Sequence, residues 1–429
     1  MTVSLIGLAI LLVVVFSGVP LGFSMMIVGF TGYGLVRGFG PALVMAGQQI
    51  LDLAMNYSFS VLPLFILMGV FVARAALSDD LYEASDKWLG HFRGGLAMAT
   101  VAACGGFAAI SGSSLATAAT MAKVAIPAMR KYKYADSLAA GTVAAGGTLG
   151  MLIPPSAAMI VYGILTETDI AKLFIGGIFP GLLTIVIYII VISVVVRVWP
   201  HIGPPGSHSS WTERFVSLYK VWGVLVLFLA ILGGIFFGVF TPTEAGGIGA
   251  VGALAFALGR RKMTWKNFYA SLVEATYITA TIFSVAFGAL ILNQFVNIAG
   301  MPQAMVGLIG GFATPIHAIL VILCIYVLLG TVIEGFAIIF LTAPIFVPVV
   351  EALGYDLVWF GIVMIMVVEI SLITPPIGLN VFVLKSMLPD VPLSAIFRGI
   401  APFFVADIIR LMIVVFFPAV VLYLPNLMG

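Results

Sequence analysis

The sequence predicts an all-α polytopic membrane protein made of two inverted structural repeats, each with a re-entrant helical hairpin and a broken helix. Three observations carry this. The chain is 62% hydrophobic and 8% charged, with a mean hydropathy of +1.23, whereas soluble domains carry about 25% charged residues. Apolar windows of about 20 residues, long enough to cross a bilayer, recur from end to end. Two double prolines interrupt such runs 221 residues apart: Pro154–Pro155 in GGTLGMLIPPSAAMIVYG and Pro375–Pro376 in EISLITPPIGLNVFVLK.

Other landmarks repeat at nearly the same offset. GVPLGF at 18–23 answers FTPTEAGG at 240–247, Asp136 answers Asp356, and SGSS at 111–114 answers TVIEG at 331–335. In the first half, spans are expected near 3–17, 20–37, 61–77, 136–165 and 172–197, with a hairpin near 96–128. In the second they are expected near 222–240, 243–258, 275–298, 356–385 and 400–424, with a hairpin near 315–350. Five spans per half is odd, so the second half must enter the membrane upside down. Inverted repeats with paired broken helices mark a secondary transporter.

The first window, TVSLIGLAILLVVVF, has no basic flank and no small-residue cleavage site after it, so it reads as a membrane helix rather than a signal peptide. The basic residues give the orientation. With the N-terminus outside, all of the 19 Lys and Arg residues except Arg37, Lys172 and the intramembrane Arg410 fall on the cytoplasmic side, as the positive-inside rule requires. Both termini are therefore expected in the periplasm. Residues 41–58, 78–92, 200–220 and 262–272 are too polar to span. They read as amphipathic arm helices at the interface or as ordinary loops.

Enzyme chemistry finds little support. The sequence has no Walker A loop, HExxH or GxSxG. Cys104 and Cys324 lie far apart in apolar runs. His91, His201, His208 and His317 have no partner at metal-ligand spacing. An intramembrane serine hydrolase would need a base beside SGSS, where no histidine lies. A channel would need an open pore, for which two inverted repeats in one chain are an unusual basis.

GVFTPTEAGGIGA, AAISGSSLATAATMAKVAIPAM, AAGGTLGMLIPPSAAMIVYGILTE, EISLITPPIGLNVFV and APFFVADIIRLMIVVFFPAVVLYLP resemble the large membrane (M) subunit of TRAP (tripartite ATP-independent periplasmic) transporters over essentially the whole chain. The resemblance implies sodium-driven uptake of a small organic acid across the bacterial inner membrane. It implies two partners: a soluble periplasmic substrate-binding protein (P), and a small four-helix membrane subunit (Q), expected on a separate chain. It also implies an elevator, in which a transport domain slides against a static scaffold. The expected division is 1–60 scaffold and arm, 61–170 first transport half, 171–272 scaffold and arms, 273–392 second transport half, and 393–429 a last scaffold helix. The rival within the same class is a single-component sodium–dicarboxylate symporter.

A break in a membrane helix exposes carbonyls at one half-helix end and free N–H groups at the other. The carbonyls suit Na⁺ and the positive N-terminal dipole suits an anion. A fixed Lys or Arg in the same place would cost about 2.5–3.5 kcal/mol even on the insertion scale. A backbone-built site reads a carboxylate but not what is attached to it, so the binding protein is expected to fix much of the specificity.

Sodium ligands, two or more ions in all, are thus sought at Ser111, Gly112, Ser113, Gly147, Ile153 and Pro154 in the first half. In the second they are sought at Thr331, Glu334, Gly335, Thr374, Pro375 and Gly378. Substrate contacts are sought at Ser113, Ser114, Ser156, Thr374 and Asn380. Each has a plainer alternative: SGSS as close helix packing, the polar residues at the breaks as partners of freed backbone groups, Glu334 as a partner of a backbone amide or a serine. Glu369 lies near the second break, and Glu244 reads as a helix N-terminal residue complementing the dipole. Asp407 and Arg410, three apart on one face, read as an intrahelical pair.

Overall fold

The computed structural model describes residues 2–75, 77–309, 314–331 and 333–428. Val332, in the TVIEG tip, and Gly429 lie outside the described residues. The first half of the chain forms α1 (Thr2–Phe16), α2 (Leu21–Arg37), α3 (Phe39–Met55), α4 (Val61–Arg74), α5 (Leu77–Leu89), α6 (Gly95–Ser111), α7 (Ser114–Lys131), α8 (Asp136–Leu152), α9 (Ala157–Leu165) and α10 (Ile170–Val198). The second forms α11 (Trp211–Phe236), α12 (Pro242–Gly259), α13 (Trp265–Ile298), α14 (Met301–Ile309), α15 (Pro315–Gly330), α16 (Gly335–Ala352), α17 (Leu357–Ser371), α18 (Leu379–Met387), α19 (Leu393–Phe416) and α20 (Ala419–Leu422).

The chain is an all-α polytopic membrane protein. Among the described residues, α4 with its preceding turn, α10, α11, α13, α16 and α19 are each long and apolar enough to cross a bilayer. The pair α8/α9, bent by 41° at its break, makes a seventh.

Polar residues at helix starts explain several boundaries. Asp169 and Asp356 accept backbone N–H bonds at the starts of α10 and α17 (Ala171 N 2.8 Å, Val358 N 2.7 Å). Ser210 with Glu213 and Thr241 with Glu244 form capping boxes that open α11 and α12. Glu244 is therefore occupied by Thr241, at 2.9 Å from both its N–H and its hydroxyl.

Two of the expected arms are absorbed into spans. Residues 265–272 are the first turns of one 34-residue helix, α13, because Thr264 caps it and no proline interrupts it. Residues 211–220 likewise open α11. The other two, 41–58 and 78–92, are helices α3 and α5 as separate elements, and α5 buries Leu77, Leu81 and Tyr82 against α6. The last span begins at Leu393 rather than near 400, and stops at Phe416 ahead of Pro418.

Side-chain contacts orient the broken helices. Arg130 bonds Asp136 at the start of α8 (2.7 Å) and Asp390 just after α18 (2.6 Å). At the far end, the Tyr162 hydroxyl in α9 donates to the Leu357 carbonyl at the start of α17 (2.8 Å). The pair α8/α9 and the pair α17/α18 thus run antiparallel. Ser4, which reaches the carbonyl of Ala299 at 3.4 Å, and Pro425, beside Gly176, both lie at the end away from Arg130.

The helices α4 and α13, assigned by sequence to the moving halves, pack on α12 and α2, and on each other. The helices α10 and α19, assigned to the scaffold, pack on α8, α17 and one another. A buried polar cluster locks that second group. Asp407 accepts from the Tyr188 hydroxyl (2.8 Å) and pairs with Arg410 (3.1 Å), and Arg410 donates to Thr184 (2.5 Å). Thr148 of α8 lies 3.2 Å from the Tyr188 hydroxyl. The Asp407–Arg410 pair forms within α19 as expected, and it also ties three helices together. Removing one member of such a buried pair costs about 3–5 kcal/mol.

Candidate functional site

The first hairpin is α6 and α7, and its tip meets the first break. Gly112 ends α6 in the left-handed conformation (φ +58°), and Ser113 caps α7 by accepting from the Ala116 N–H at 3.4 Å. A side-chain carbon added at Gly112 would stand 3.1 Å from the Pro155 carbonyl oxygen, so the tip lies directly on the break. The Ser111 and Thr117 hydroxyls are 2.7 Å apart, and Thr117 also donates to the Ser113 carbonyl at 2.8 Å. Across the break, Ile153 leaves the helical conformation, Pro154 and Pro155 are buried, and Ser156 opens α9. The Ser156 hydroxyl is fully buried and, among the described residues, has no hydrogen-bond partner.

Ser114 points the other way. Its hydroxyl donates to Glu369 Oε1 on α17, and both side chains are buried. Among the described residues, Glu369 Oε2 meets no donor in hydrogen-bonding geometry, although the Met151 backbone lies beside the carboxyl. The first hairpin and the second broken helix are therefore joined through one serine–carboxyl contact in the core. Asn380 makes the reciprocal reach from the second break. Its Nδ2 donates to the Ala144 carbonyl of α8 (3.4 Å) and lies close to Gly147, while its Oδ1 is buried and has no partner among the described residues.

The second hairpin, α15 and α16, has its tip at Thr331–Glu334. Thr331 donates to the Leu328 carbonyl (2.8 Å), and Glu334 caps α16 by accepting from the Ala337 N–H (3.3 Å). The tip was expected to face Thr374–Gly378. Its flanking glycines instead meet Ser371 and Val368 in the last turn of α17, and Met151 of α8. Thr374 donates back to Ile370 (2.6 Å), Gly378 takes a left-handed conformation, and Pro375 and Pro376 are exposed.

Beside the first tip lies a cavity of about 370 Å³. Ser111, Gly112 and Ser113 form one wall with Ala157, and Phe336 of α16 closes part of it. The facing wall comes from Ile66, Gly69 and Val70 of α4 and from Glu274, Ile278 and Ile282 of α13. Glu274, the charged residue in that lining, is bonded to Arg74 at 2.7 Å. The structure thus groups Ser111–Ser113, Pro155 and Ser156, and connects Ser114 and Asn380 to the same core from behind. Thr331, Glu334 and Thr374 are bonded within their own segments.

Three site residues were not singled out from sequence. Thr117, bonded to the tip, and Thr120, on the cavity wall, follow Ser113 at four and seven residues on one face of α7, a spacing that was available to find them. Glu274 comes from a distant helix and carried no local signal. Among the described residues, no group of three or more His, Cys, Asp or Glu side chains converges. The oxygens gathered at the tip and the break are hydroxyls and carbonyls, hard donors of the kind that suit an alkali cation.

Polar hairpin tips against interrupted helices, deep in an apolar bundle and opening on a cavity, define a membrane transporter. Residues 8–420 match the family described as tripartite ATP-independent periplasmic transporter, DctM component, and the chain belongs to that family. It is 37% identical over 405 residues to the C4-dicarboxylate TRAP transporter large permease protein DctM of Pseudomonas aeruginosa, covering 94% of each chain. It is 32% identical to the sialic acid TRAP transporter large permease protein SiaM of Vibrio cholerae, covering 96% of each. Among solved structures it resembles the YdaH transporter of Alcanivorax borkumensis, with a TM-score of 0.60 over 88% of both chains at 13% identity. That last likeness is one of fold. The chain is a multi-pass protein of the bacterial inner membrane.

Proposed function

We propose that this chain carries a small organic anion inward together with Na⁺, the anion being delivered by a periplasmic binding protein and a small membrane subunit completing the assembly. The observation that carries the reading is the apposition of the Ser111–Ser113 tip to the Pro154–Pro155 break at the edge of a cavity. Ser156, whose buried hydroxyl lacks a partner among the described residues, and the Pro155 carbonyl would serve the cation, with Ser111, Gly112, Ser113, Gly147, Ile153 and Pro154 around it. Thr331, Glu334, Gly335, Thr374, Pro375 and Gly378 would form the counterpart in the second half. Ser113 stands between the break and the cavity, where an anion would sit; Ser114, Ser156, Thr374 and Asn380 would support it from the two breaks. The names of the relatives, a C4-dicarboxylate and a sialic acid transporter, both fit an acid as cargo.

The motion we infer is an elevator between two inverted repeats, with a division revised from the packing. The helices α2, α4, α12 and α13 would form the static frame. The two hairpins, both broken helices, α10 and α19 would move, since the Asp407–Arg410 cluster joins α8, α10 and α19. The cavity runs from the tip toward Glu274, near the basic end of the molecule. With that end in the cytoplasm and both termini in the periplasm, this would be the inward-facing state. A periplasm-active reporter should then be active after Gly429 and silent within Arg260–Lys262.

The test of function is uptake into proteoliposomes. It should require an inward Na⁺ gradient, the small membrane subunit and a loaded binding protein, but no ATP. Undiminished uptake in sodium-free buffer would remove the coupling ion. Uptake of free substrate without a binding protein would make the chain a single-component symporter.

A further inference from the structure

We propose that the groove between α10 and α19, at the basic end of the molecule, binds one anionic phospholipid. The groove has a volume of about 600 Å³ and lies outside the candidate transport site, within the size range of small-molecule clefts, about 300–1,000 Å³. Its walls are apolar, from Ile192 and Val195 on α10 and Pro402 and Val405 on α19. Its polar end carries Arg398 and His201.

Charge says what the polar end takes. Among the described residues, neither Arg398 nor His201 has a hydrogen-bond or ion-pair partner, and both are exposed. The carboxylates that flank this region in sequence, Asp136 before Ser137 and Asp390 before α19, are both held by Arg130. Positive charge at the groove mouth is therefore uncompensated by the described residues. A phosphate group would complement it.

The walls say that this phosphate is attached to a hydrocarbon chain. Val405 follows Arg398 by two helical turns, which places it about 10 Å further along α19. Val194, Val198 and Val405 are all more than half exposed, so the apolar walls continue onto the outer face of the bundle. Trp199, 52% exposed at the rim, is the residue type that settles at a membrane interface. A headgroup at Arg398 and an acyl chain along Val195 and Val405 would follow the same order of polarity as the leaflet. Basic pockets between membrane helices on the cytoplasmic side recognise anionic headgroups for this reason.

The experiment uses the full chain in phosphatidylcholine nanodiscs containing phosphatidylglycerol, with bound lipid counted by native mass spectrometry after release. The wild type should retain one phosphatidylglycerol. Arg398→Gln combined with His201→Gln should retain about fivefold less, the scale of one basic residue near an anionic surface. Val405→Trp, which fills the apolar part and leaves the charge intact, should also lose the lipid, and Arg398→Lys should keep it. Gel filtration establishes that each variant is monodisperse. Equal retention by the double variant and by Val405→Trp would overturn the proposal, as would equal retention of phosphatidylcholine. Displacement by millimolar glycerol 3-phosphate would overturn it in favour of a free-anion site. A cross-link from Val405→Cys to another membrane subunit would overturn it in favour of a protein interface.

Discussion

The two double prolines sit in the same local sequence frame and in different surroundings. Pro154 and Pro155 are buried beneath the tip of the first hairpin, whose Gly112 comes so close that an added side-chain carbon would stand 3.1 Å from the Pro155 carbonyl oxygen. Pro375 and Pro376 are exposed, and the second hairpin leans on the turn of helix before them. Each break leads into a nine-residue helix, yet α9 is buried over most of its length while α18 buries three residues, Asn380, Val381 and Leu384. A broken helix in a membrane supplies unpaired backbone groups wherever it occurs. What those groups can do depends on the element that closes over them. In this conformation the first break has a partner and the second is open.

The largest effect that separates the breaks should come from Gly112→Val. The left-handed conformation costs an ordinary residue about 1–2 kcal/mol, and the new carbon would face the fixed Pro155 carbonyl. Sodium-driven uptake by reconstituted protein should fall at least tenfold, on the order expected when about 1.4 kcal/mol is lost from a required conformation. Gly335→Val should do less, because it meets the movable ends of Val368 and Met151 at 3.1 and 3.2 Å. Equal losses at the two positions would make the breaks functionally equivalent and end the comparison.

Stability should divide along a different line. Ser114→Ala leaves the buried Glu369 carboxyl without its hydroxyl donor, and should lower thermal stability in detergent by about 1–3 kcal/mol. Thr374→Ala removes a bond from the break back to the last turn of α17 at a half-buried position, and should change stability by about 0.5 kcal/mol or less. A larger drop for Thr374→Ala would mean that the second break, not the first, is the one held by its side chains.

Ion dependence gives a finer measure. Ser113→Ala should raise the Na⁺ concentration for half-maximal uptake about fivefold, the equivalent of one lost polar contact near 1 kcal/mol. Thr331→Ala should raise it less. Unchanged sodium dependence in both variants would move the cation away from the hairpin tips.

The smallest effect belongs to the contact shared by both breaks. The Arg130 guanidinium holds the Asp390 carboxyl below the ordinary aspartate value. A carboxyl so lowered binds fewer protons folded than unfolded, so its contribution is present above about pH 4 and is lost as the pH falls further. Thermal melts between neutral pH and pH 3 should therefore show an acid decline that Arg130→Gln makes shallower. Identical slopes would mean that this exposed contact contributes nothing to holding the broken helices together.

Much of the architecture is legible in the sequence because hydrocarbon imposes simple rules. Long apolar runs must be helices, and GVFTPTEAGG had to begin one at Thr241–Pro242. The paired prolines and the SGSS tip are equally local signals. The continuity of α13 was not legible, because Glu274 and Lys266 look like an interfacial segment until Arg74 is seen to meet Glu274 from another helix. The tie between α10 and α19 depends on Tyr188 and Thr184 finding Asp407 and Arg410 more than 200 residues away. The direction of Ser114 was hidden for a related reason. Adjacent residues at a helix start point to different sides, and only the packed α17 decides which of Ser113 and Ser114 meets a carboxyl and which meets the cavity.

The close crossing of α2 and α13 bears on how the chain is made. A side-chain carbon at Gly22 would collide with Ser284, and one at Gly29 with Leu292, so this face of α2 is shaped for a helix some 260 residues downstream. Small residues permit such contact only once the partner is present. A ribosome must therefore translate and insert the first half of the chain, with α2 held against lipid or an insertion factor, well before α13 arrives. Chains truncated ahead of residue 265 should remain substrates for membrane quality control, however complete their first half.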